Sequence, residues 1–325
     1  RHAGNPRVVG PQKPLTTDTM KNNIIINLFR CMAVLVLAFG AAACSDWTET
    51  EAVEQQVQRP GDQDPAFWAE YTAALREYKQ SEHFLTYARL YNSPTPSASE
   101  KDYMRCLPDS LDIVSLTNAD NFSKFDAEDL SVMHEKGTRV LYQVDYAARK
   151  ADFADAAALN TYLDGVIAAV QAHGLDGYSF TADPLDAAAT ATIVATLSAA
   201  RTDGQLLVYE GNPIFVAEAD RAKLDYVVLD TEATTDITTL KLQVVNATGY
   251  AGIAPERLLL AASAGAPLYD EDVVEHAAIT EMAERVVSLG PLAGLAAYDI
   301  DNDYYDVERN YPLLSDAIQL LNPSK

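Results

Sequence analysis

Gly174-Leu175-Asp176-Gly177-Tyr178-Ser179-Phe180-Thr181-Ala182-Asp183 is the stretch on which the fold turns. Leu175–Phe180 is short and apolar-rich and reads as a strand. Ahead of it Asp155–His173 reads as an Ala-rich helix, and Gly174 is the expected stop just past that helix. Behind it Asp183-Pro184 suits a turn or a helix start. Asp186–Arg201 then reads as a second helix, running to Asp203-Gly204. The unit is a strand between two helices.

The same beat recurs in both directions. Strand-like runs occupy His83–Leu90, Leu111–Leu116, Arg139–Tyr146, Leu175–Phe180, Gln205–Tyr209, Leu224–Leu229, Arg257–Ala262 and Leu292–Tyr298. Helical stretches lie at Asp126–Lys136, ended by Gly137, at Asp270–Leu289, ended by Gly290, and at Tyr311–Leu321. A further helix is marked by Phe67, Tyr71, Leu75 and Tyr78, with Pro65 suited to its first turn. Eight strands in about 240 residues, most followed by a crossover, predict an α/β fold of the (β/α)8 TIM-barrel type, with its site at the C-terminal ends of the strands. An open doubly wound sheet is the rival, but it often carries a Gly-rich first turn, and no G-x-G-x-x-G or P-loop occurs.

The chain has 325 residues, 48% apolar and 22% charged, enough to bury a large core. With 47 acids against 24 bases its formal charge is −23. Nucleic acid requires clustered Lys and Arg and is excluded as a partner. Three cysteines give no disulfide scaffold, no Cys/His cluster has zinc spacing, and no cofactor is expected. The five histidines are scattered and assemble no Ser-His-Asp arrangement.

Residues 1–19 precede Met20, the expected natural start. Lys21 and Arg30 flank an apolar run through Met32, Val34–Leu37 and Phe39, and Ala41-Ala42-Ala43 precede Cys44. This predicts a signal peptide over residues 20–43, too short in its apolar part to span a membrane. Cys44 after small residues resembles a bacterial lipobox, with Ala41 where Leu is usual; secretion with an unmodified Cys44 is the alternative. The acidic Ser45-Asp46-Trp47-Thr48-Glu49-Thr50-Glu51 resembles a surface-export signal of Gram-negative lipoproteins, which implies an outer-membrane, cell-surface location. Residues 44–64 read as a lipidated tether and 65–325 as the barrel. Residues 1–43 hold five bases and one acid, so the remainder has 19 bases, 46 acids and a net charge of −27. Such a surface repels anionic lipid, which leaves the lipid as the membrane link. Cys106 is then the free thiol, more in keeping with a core residue than a nucleophile.

The fourth-strand segment resembles the D-G-x-D-x-D-x-E signature of glycoside hydrolase family 18. Pro108–Leu116, Lys136–Leu141, Tyr298-Asp299 and the Trp68…Tyr71…Leu75-Arg76…Tyr78-Lys79 helix support the resemblance over roughly residues 65–325. In that family the terminal Glu is the general acid, and the Asp two residues earlier orients the substrate's N-acetyl group, which acts as nucleophile. Strand alternation sets the last three acid positions on one face. After the matching Asp176, those positions hold Ser179, Thr181 and Asp183. Thr181 carries no charge to stabilise an oxazolinium. Ser179 cannot form a shared-proton carboxylate pair. Asp183 is set back by about 1.5 Å, and a misplacement of about 1 Å costs roughly 100-fold. Asp183, ahead of Pro184, reads either as a residual acid or as a cap or turn residue.

Sugar sites combine aromatic faces with acids, amides and hydroxyls. Tyr178, Tyr298 and Tyr146 are the candidate platforms, and Asn118, Asp183, Asp230 and Glu232 the candidate hydrogen-bonding groups. Core or rim packing is the competing reading for each Tyr. Asp299, Asp301, Asp303 and Asp306 read as a solvated loop, lacking the Gly and terminal Glu of a standard calcium loop. Three functions follow. The first is a non-enzymatic, surface-anchored glycan-binding lipoprotein, taking N-glycan or chitin-type oligosaccharides and, by resemblance, working beside an outer-membrane glycan importer. The second is a weakly active endo-β-N-acetylglucosaminidase or chitinase using Asp183 as acid. The third is a structural or adhesion lipoprotein with no sugar site. Mass spectrometry of the membrane fraction is expected to find Cys44 acylated and residues 20–43 removed; an intact Met20 terminus or a wholly soluble Cys44 product would rule out the anchor.

Overall fold

The computed structural model describes residues 59–323; the expected signal peptide, Cys44 and all but the end of the expected tether lie outside them. Each of the eight predicted strands forms, with ends shifted by no more than two residues. They are β1 (Leu85–Leu90), β2 (Ile113–Leu116), β3 (Arg139–Asp145), β4 (Gly177–Thr181), β5 (Leu206–Glu210), β6 (Tyr226–Leu229), β7 (Leu258–Ser263) and β8 (Gly294–Tyr298). Every strand runs parallel to the next, and β8 pairs with β1, closing the barrel.

Period-two alternation divides the strand side chains into two sets. One set, with Tyr87, Ile113, Leu141, Val208, Val228, Leu259, Ala261, Ala296 and Tyr298, packs together inside the barrel. The other, including Val114, Val140, Tyr178, Phe180, Val227 and Leu260, packs outward under the helices. Those helices include α1 (Pro65–Gln80), α2 (Lys124–Glu135), α3 (Ala156–His173), α4 (Ala187–Ala200), α5 (Ile237–Val245), α6 (Ala278–Ser288) and α7 (Pro312–Leu321). Capping fixes their ends. Asp155 and Asp186 accept from the third backbone N–H of α3 and α4, and Gly174 ends α3 at φ 73°.

One predicted helix is shortened. The Asp270–Leu289 stretch is helical only from Ala278, because Pro267–Tyr269 pairs antiparallel with Glu275–Ala277 in a hairpin. Asp270 holds that turn: its Oδ1 accepts from Asp272 N and Val274 N, and its Oδ2 lies 3.0 Å from His276 Nε2.

At the base of the barrel the sequence repeats a device. Just before β2, β4 and β6 an Asp reaches back to a backbone N–H of the preceding strand. Asp112 accepts from Thr86 N at 2.8 Å, Asp176 from Val140 N at 2.8 Å and Asp225 from Leu207 N at 2.7 Å. Each clamp satisfies a backbone donor near the start of a strand, where the ladder begins. Asp176, read from sequence as part of a catalytic signature, is thus a structural clamp at the end opposite the mouth. Its neighbour Gly177 has φ 132°, and a Cβ there would meet Leu206 O at 2.1 Å, so only glycine fits.

Two of the clamps hold histidines, His83 Nε2 at 2.9 Å from Asp112 and His134 Nε2 at 2.9 Å from Asp176. In both cases the hydrogen bond to the carboxylate is the main influence raising the imidazole above its ordinary 6.5. A raised histidine stabilises the fold fully below its unfolded value, and the contribution is lost as pH rises through the folded value. Melting temperature should therefore fall from about pH 6.5 upward. The fall should be smaller in a His83→Gln, His134→Gln double variant, and identical pH profiles would refute this account.

Candidate functional site at the barrel mouth

The inward positions near the C-terminal ends of the strands are polar where those beneath are apolar. β1 contributes Tyr87 and Arg89, β2 Ser115, β3 Gln143, β4 Ser179, β5 Glu210 and β8 Tyr298. They converge on the Glu210 carboxylate, whose side chain has no exposure. Glu210 Oε1 accepts from Tyr87 Oη at 2.8 Å and Gln143 Nε2 at 2.9 Å. Oε2 accepts from Tyr298 Oη at 2.8 Å and Arg89 Nε at 2.5 Å. Ser115 Oγ lies 3.5 Å from Oε1 and 2.7 Å from Ser179 Oγ. The Arg89 guanidinium carbon lies over the Tyr298 ring, 3.7 Å from its centroid.

Burial alone would push the Glu210 carboxyl up. The Arg89 charge and the hydrogen bonds from Gln143, Tyr298 and Arg89 outweigh it and hold the group below its usual range. Tyr87 and Tyr298 move well above 10, first through burial and then through the negative charge of Glu210. Both stay protonated as donors, and the throat is filled by this network.

The three positions at which the resemblance expects acids all have partners. Ser179 is buried against Ser115. Thr181 donates from Oγ1 to Asp145 Oδ1 at 2.7 Å and accepts from Ala147 N at 3.0 Å, which ties down the turn after β3. Asp183 pairs with Lys150 Nζ at 2.5 Å and accepts from Leu185 N at 3.0 Å. The Lys150 hydrogen bond is the main cause that lowers the Asp183 carboxyl, so it stands as an ionised turn residue.

The expected platforms are not open. Tyr178 is fully buried on the outward face, and among the described residues its hydroxyl has no partner. Alternation requires this: if Ser179 and Thr181 face inward, Tyr178 faces the helices. Tyr298 does face the mouth, but Arg89 covers its ring and Glu210 holds its hydroxyl. Tyr146 is buried, stacked on Phe153 and bonded through its hydroxyl to Asp186 Oδ2 at 2.7 Å. Asn118 is also buried, and its amide group bonds to Asn92 O and Asn121 Nδ2, bracing the loops after β1 and β2.

Asp230 and Glu232 do stand at the mouth, just after β6. Asp230 is exposed to solvent, yet partial desolvation and then the charge of Glu232 raise it from 3.8 to about 6. Glu232 Oε2 is buried, and among the described residues it has no hydrogen-bond partner. Tyr91, Leu185, Phe215, Val273 and Tyr305 are exposed on loops that follow β1, β4, β5, β7 and β8. They make an apolar rim on the same face. The sequence reading omitted Arg89 and Gln143 from the site; the signal for Arg89 was its place two residues after Tyr87, on the same strand face.

A cavity of about 1200 Å3 lies at the opposite end, between the strand starts, α1 and the end of α7. Lys79, His83, Tyr226, Leu292 and Asn322 are among its walls. Burial there lowers Lys79 to about 8. The cavity is remote from the mouth, where the chemistry of such barrels sits. Among the described residues no His/Cys/Asp/Glu group is arranged to hold a metal.

A closed (β/α)8 barrel with convergent polar groups at its C-terminal mouth is the architecture of a barrel that acts on or binds its ligand there. A family model described as glycoside hydrolase family 18, BT1044-like, matches residues 48–163. That match ends before the β4 signature, so the positions at which acids are expected rest on their own residues. A structure of a selenomethionine BT1044 variant is 17% identical, with TM-score 0.67 over 82% of this chain and 96% of that one. An endo-β-N-acetylglucosaminidase from Cordyceps militaris is 18% identical, with TM-score 0.58 over 78% and 95%. YKL-39, solved in the presence of chitooligosaccharides, is 10% identical, with TM-score 0.56 over 74% and 100%. At these identities the likeness shows the fold. No curated protein matches by sequence.

Truncating one member of a buried ion pair strands the other charge and costs about 3–5 kcal/mol. Glu210→Ala should lose at least about 3 kcal/mol in denaturant unfolding, because two tyrosine hydroxyls also lose their acceptor. A loss near zero would show that water already reaches the network.

Proposed function

We propose that this protein is a non-catalytic, surface-anchored lipoprotein that binds glycans at the mouth of a family 18-like barrel. The observation that carries this is the state of the positions at which the resemblance expects acids. Ser179 is paired with Ser115, Thr181 with Asp145, and Asp183 is ionised against Lys150. A general acid must hold a proton at working pH, and Asp183 is tuned the other way. Exposed apolar side chains on the loops and polar groups at the floor offer the two kinds of contact an oligosaccharide uses. The family resemblance makes N-acetylglucosamine-containing glycans, of N-glycan or chitin type, the first ligands to test. An outer-membrane location beside a glycan importer follows from the same reading.

A hydrolytic reading has one observation in its favour. The Asp230 carboxyl near 6 could hold a proton in mildly acidic solution. It stands after β6, away from the β4 position at which the family places its acid.

Incubated with chitin oligomers and N-glycoproteins, the protein should release no sugar above an Asp183→Ala control, while calorimetry detects binding of one of these glycans. Turnover abolished by Asp183→Ala would establish the enzyme, turnover abolished by Asp230→Asn would move the acid to β6, and binding to none would leave a structural role.

A further inference from the structure

We propose that Arg89 is the ligand-recognition residue at the floor of the mouth, offering its terminal N–H groups to acceptor oxygens of a neutral sugar. This rests on the glycan reading and adds to it a specific group and a charge class of ligand.

Arg89 is held at three points. Its strand position on β1 aims it at the barrel axis. Its Nε donates to Glu210 Oε2 at 2.5 Å, and its guanidinium carbon lies over the Tyr298 ring. These contacts use Nε and one face. Among the described residues no partner takes the two Nη atoms. The side chain keeps 27% exposure, whereas Glu210 beneath it has none. A guanidinium presents its Nη donors as a planar fork, and here stacking and the Nε bond have already removed most of its rotational freedom. A ligand oxygen would meet donors ordered in advance, with little further entropy to lose.

Two other bases on this face are committed. Arg149 pairs with Asp120 and Lys150 with Asp183, both at 2.5 Å. Acids also surround the opening, at Asp120, Asp145, Asp183, Asp230 and Glu232. Glu210 already neutralises Arg89, so an incoming anion would gain no net charge and would face repulsion from these carboxylates. Hydroxyl and acetamido carbonyl oxygens accept from Arg89 without that penalty. Sugar hydroxyls can in turn donate to the exposed carboxylate of Asp230 or to the accessible part of Glu232. Donor floor and acceptor rim thus complement a group that both accepts and donates.

The test is calorimetry on the whole protein with chitotetraose and with a biantennary N-glycan in asialo and disialo forms. The wild type should bind a neutral probe with an affinity that changes little between about 50 and 500 mM salt. Arg89→Lys should weaken it at least about tenfold, the loss of one charge-assisted hydrogen bond. An Arg89→Met, Glu210→Leu double variant removes both charges with little change of volume, and should melt as a folded protein yet bind equally weakly. If the wild type binds but the double variant, folded, binds as well, Arg89 is not the recognition group and the glycan reading survives. Tighter, salt-sensitive binding of the disialo form would overturn the neutral-ligand assignment. Failure of the wild type to bind any probe would overturn the glycan reading and this inference with it.

Discussion

The Arg89–Glu210 pair is the constraint around which the mouth is organised. Removing two charges from water costs several kcal/mol per ion, and only close pairing with further hydrogen bonds offsets it. Tyr87, Gln143 and Tyr298 supply those bonds, with Ser115 at the edge, so three strands besides the two that carry the ions have an inward side chain fixed by one carboxylate. Each partner is ordered by the charge it satisfies. Such a pair is weak evidence for stability, since apolar residues of similar volume often serve as well. What it contributes here is geometry: it fills the throat and sets a cation over an aromatic ring at the floor.

The β4 residues make sense within that arrangement. A full set of inward carboxylates would lie close to Glu210, and like charges packed together raise one another's pKa values and favour neutral forms. Serine at 179 avoids this and bonds to Ser115. Threonine at 181 gives the same answer one layer higher, bonding to Asp145 and to a backbone N–H. Asp183 keeps its charge because Lys150 meets it outside the throat. Ser179, Thr181 and Asp183 thus form a column of polar contacts bracing β4 against its neighbours.

The two ends of the barrel are built differently. The base carries the Asp112, Asp176 and Asp225 clamps on backbone N–H groups, together with the α1 side chains that reach the strand starts, such as Lys79 on Leu111 O at 2.7 Å. The mouth carries the buried network and an exposed rim of Tyr91, Leu185 and Tyr305. This division is the one expected of the fold, in which loops after the strands can vary while the bottom holds the barrel shut.

The architecture was legible in the sequence because it depends on local signals. Glycine stops such as Gly174, aspartate starts such as Asp155 and Asp186, and apolar runs of strand length are properties of neighbouring residues. All eight strands followed from them. The missed hairpin at Pro267–Ala277 was less visible, because its strands are three residues each and the Asp270 turn lies inside a helical pattern. The inward placement of Ser179 and Thr181 was legible as well, since alternation fixes their face. Alternation also placed Tyr178 outside, and combining the two inferences would have removed it as a platform. What no local pattern could supply was the meeting of Arg89, Gln143, Glu210 and Tyr298. They lie on β1, β3, β5 and β8, as far as 209 positions apart from Arg89 to Tyr298, and the sequence separation gives no hint of contact. Closure of the barrel brings them together, and the low dielectric of its interior makes their pairing compulsory.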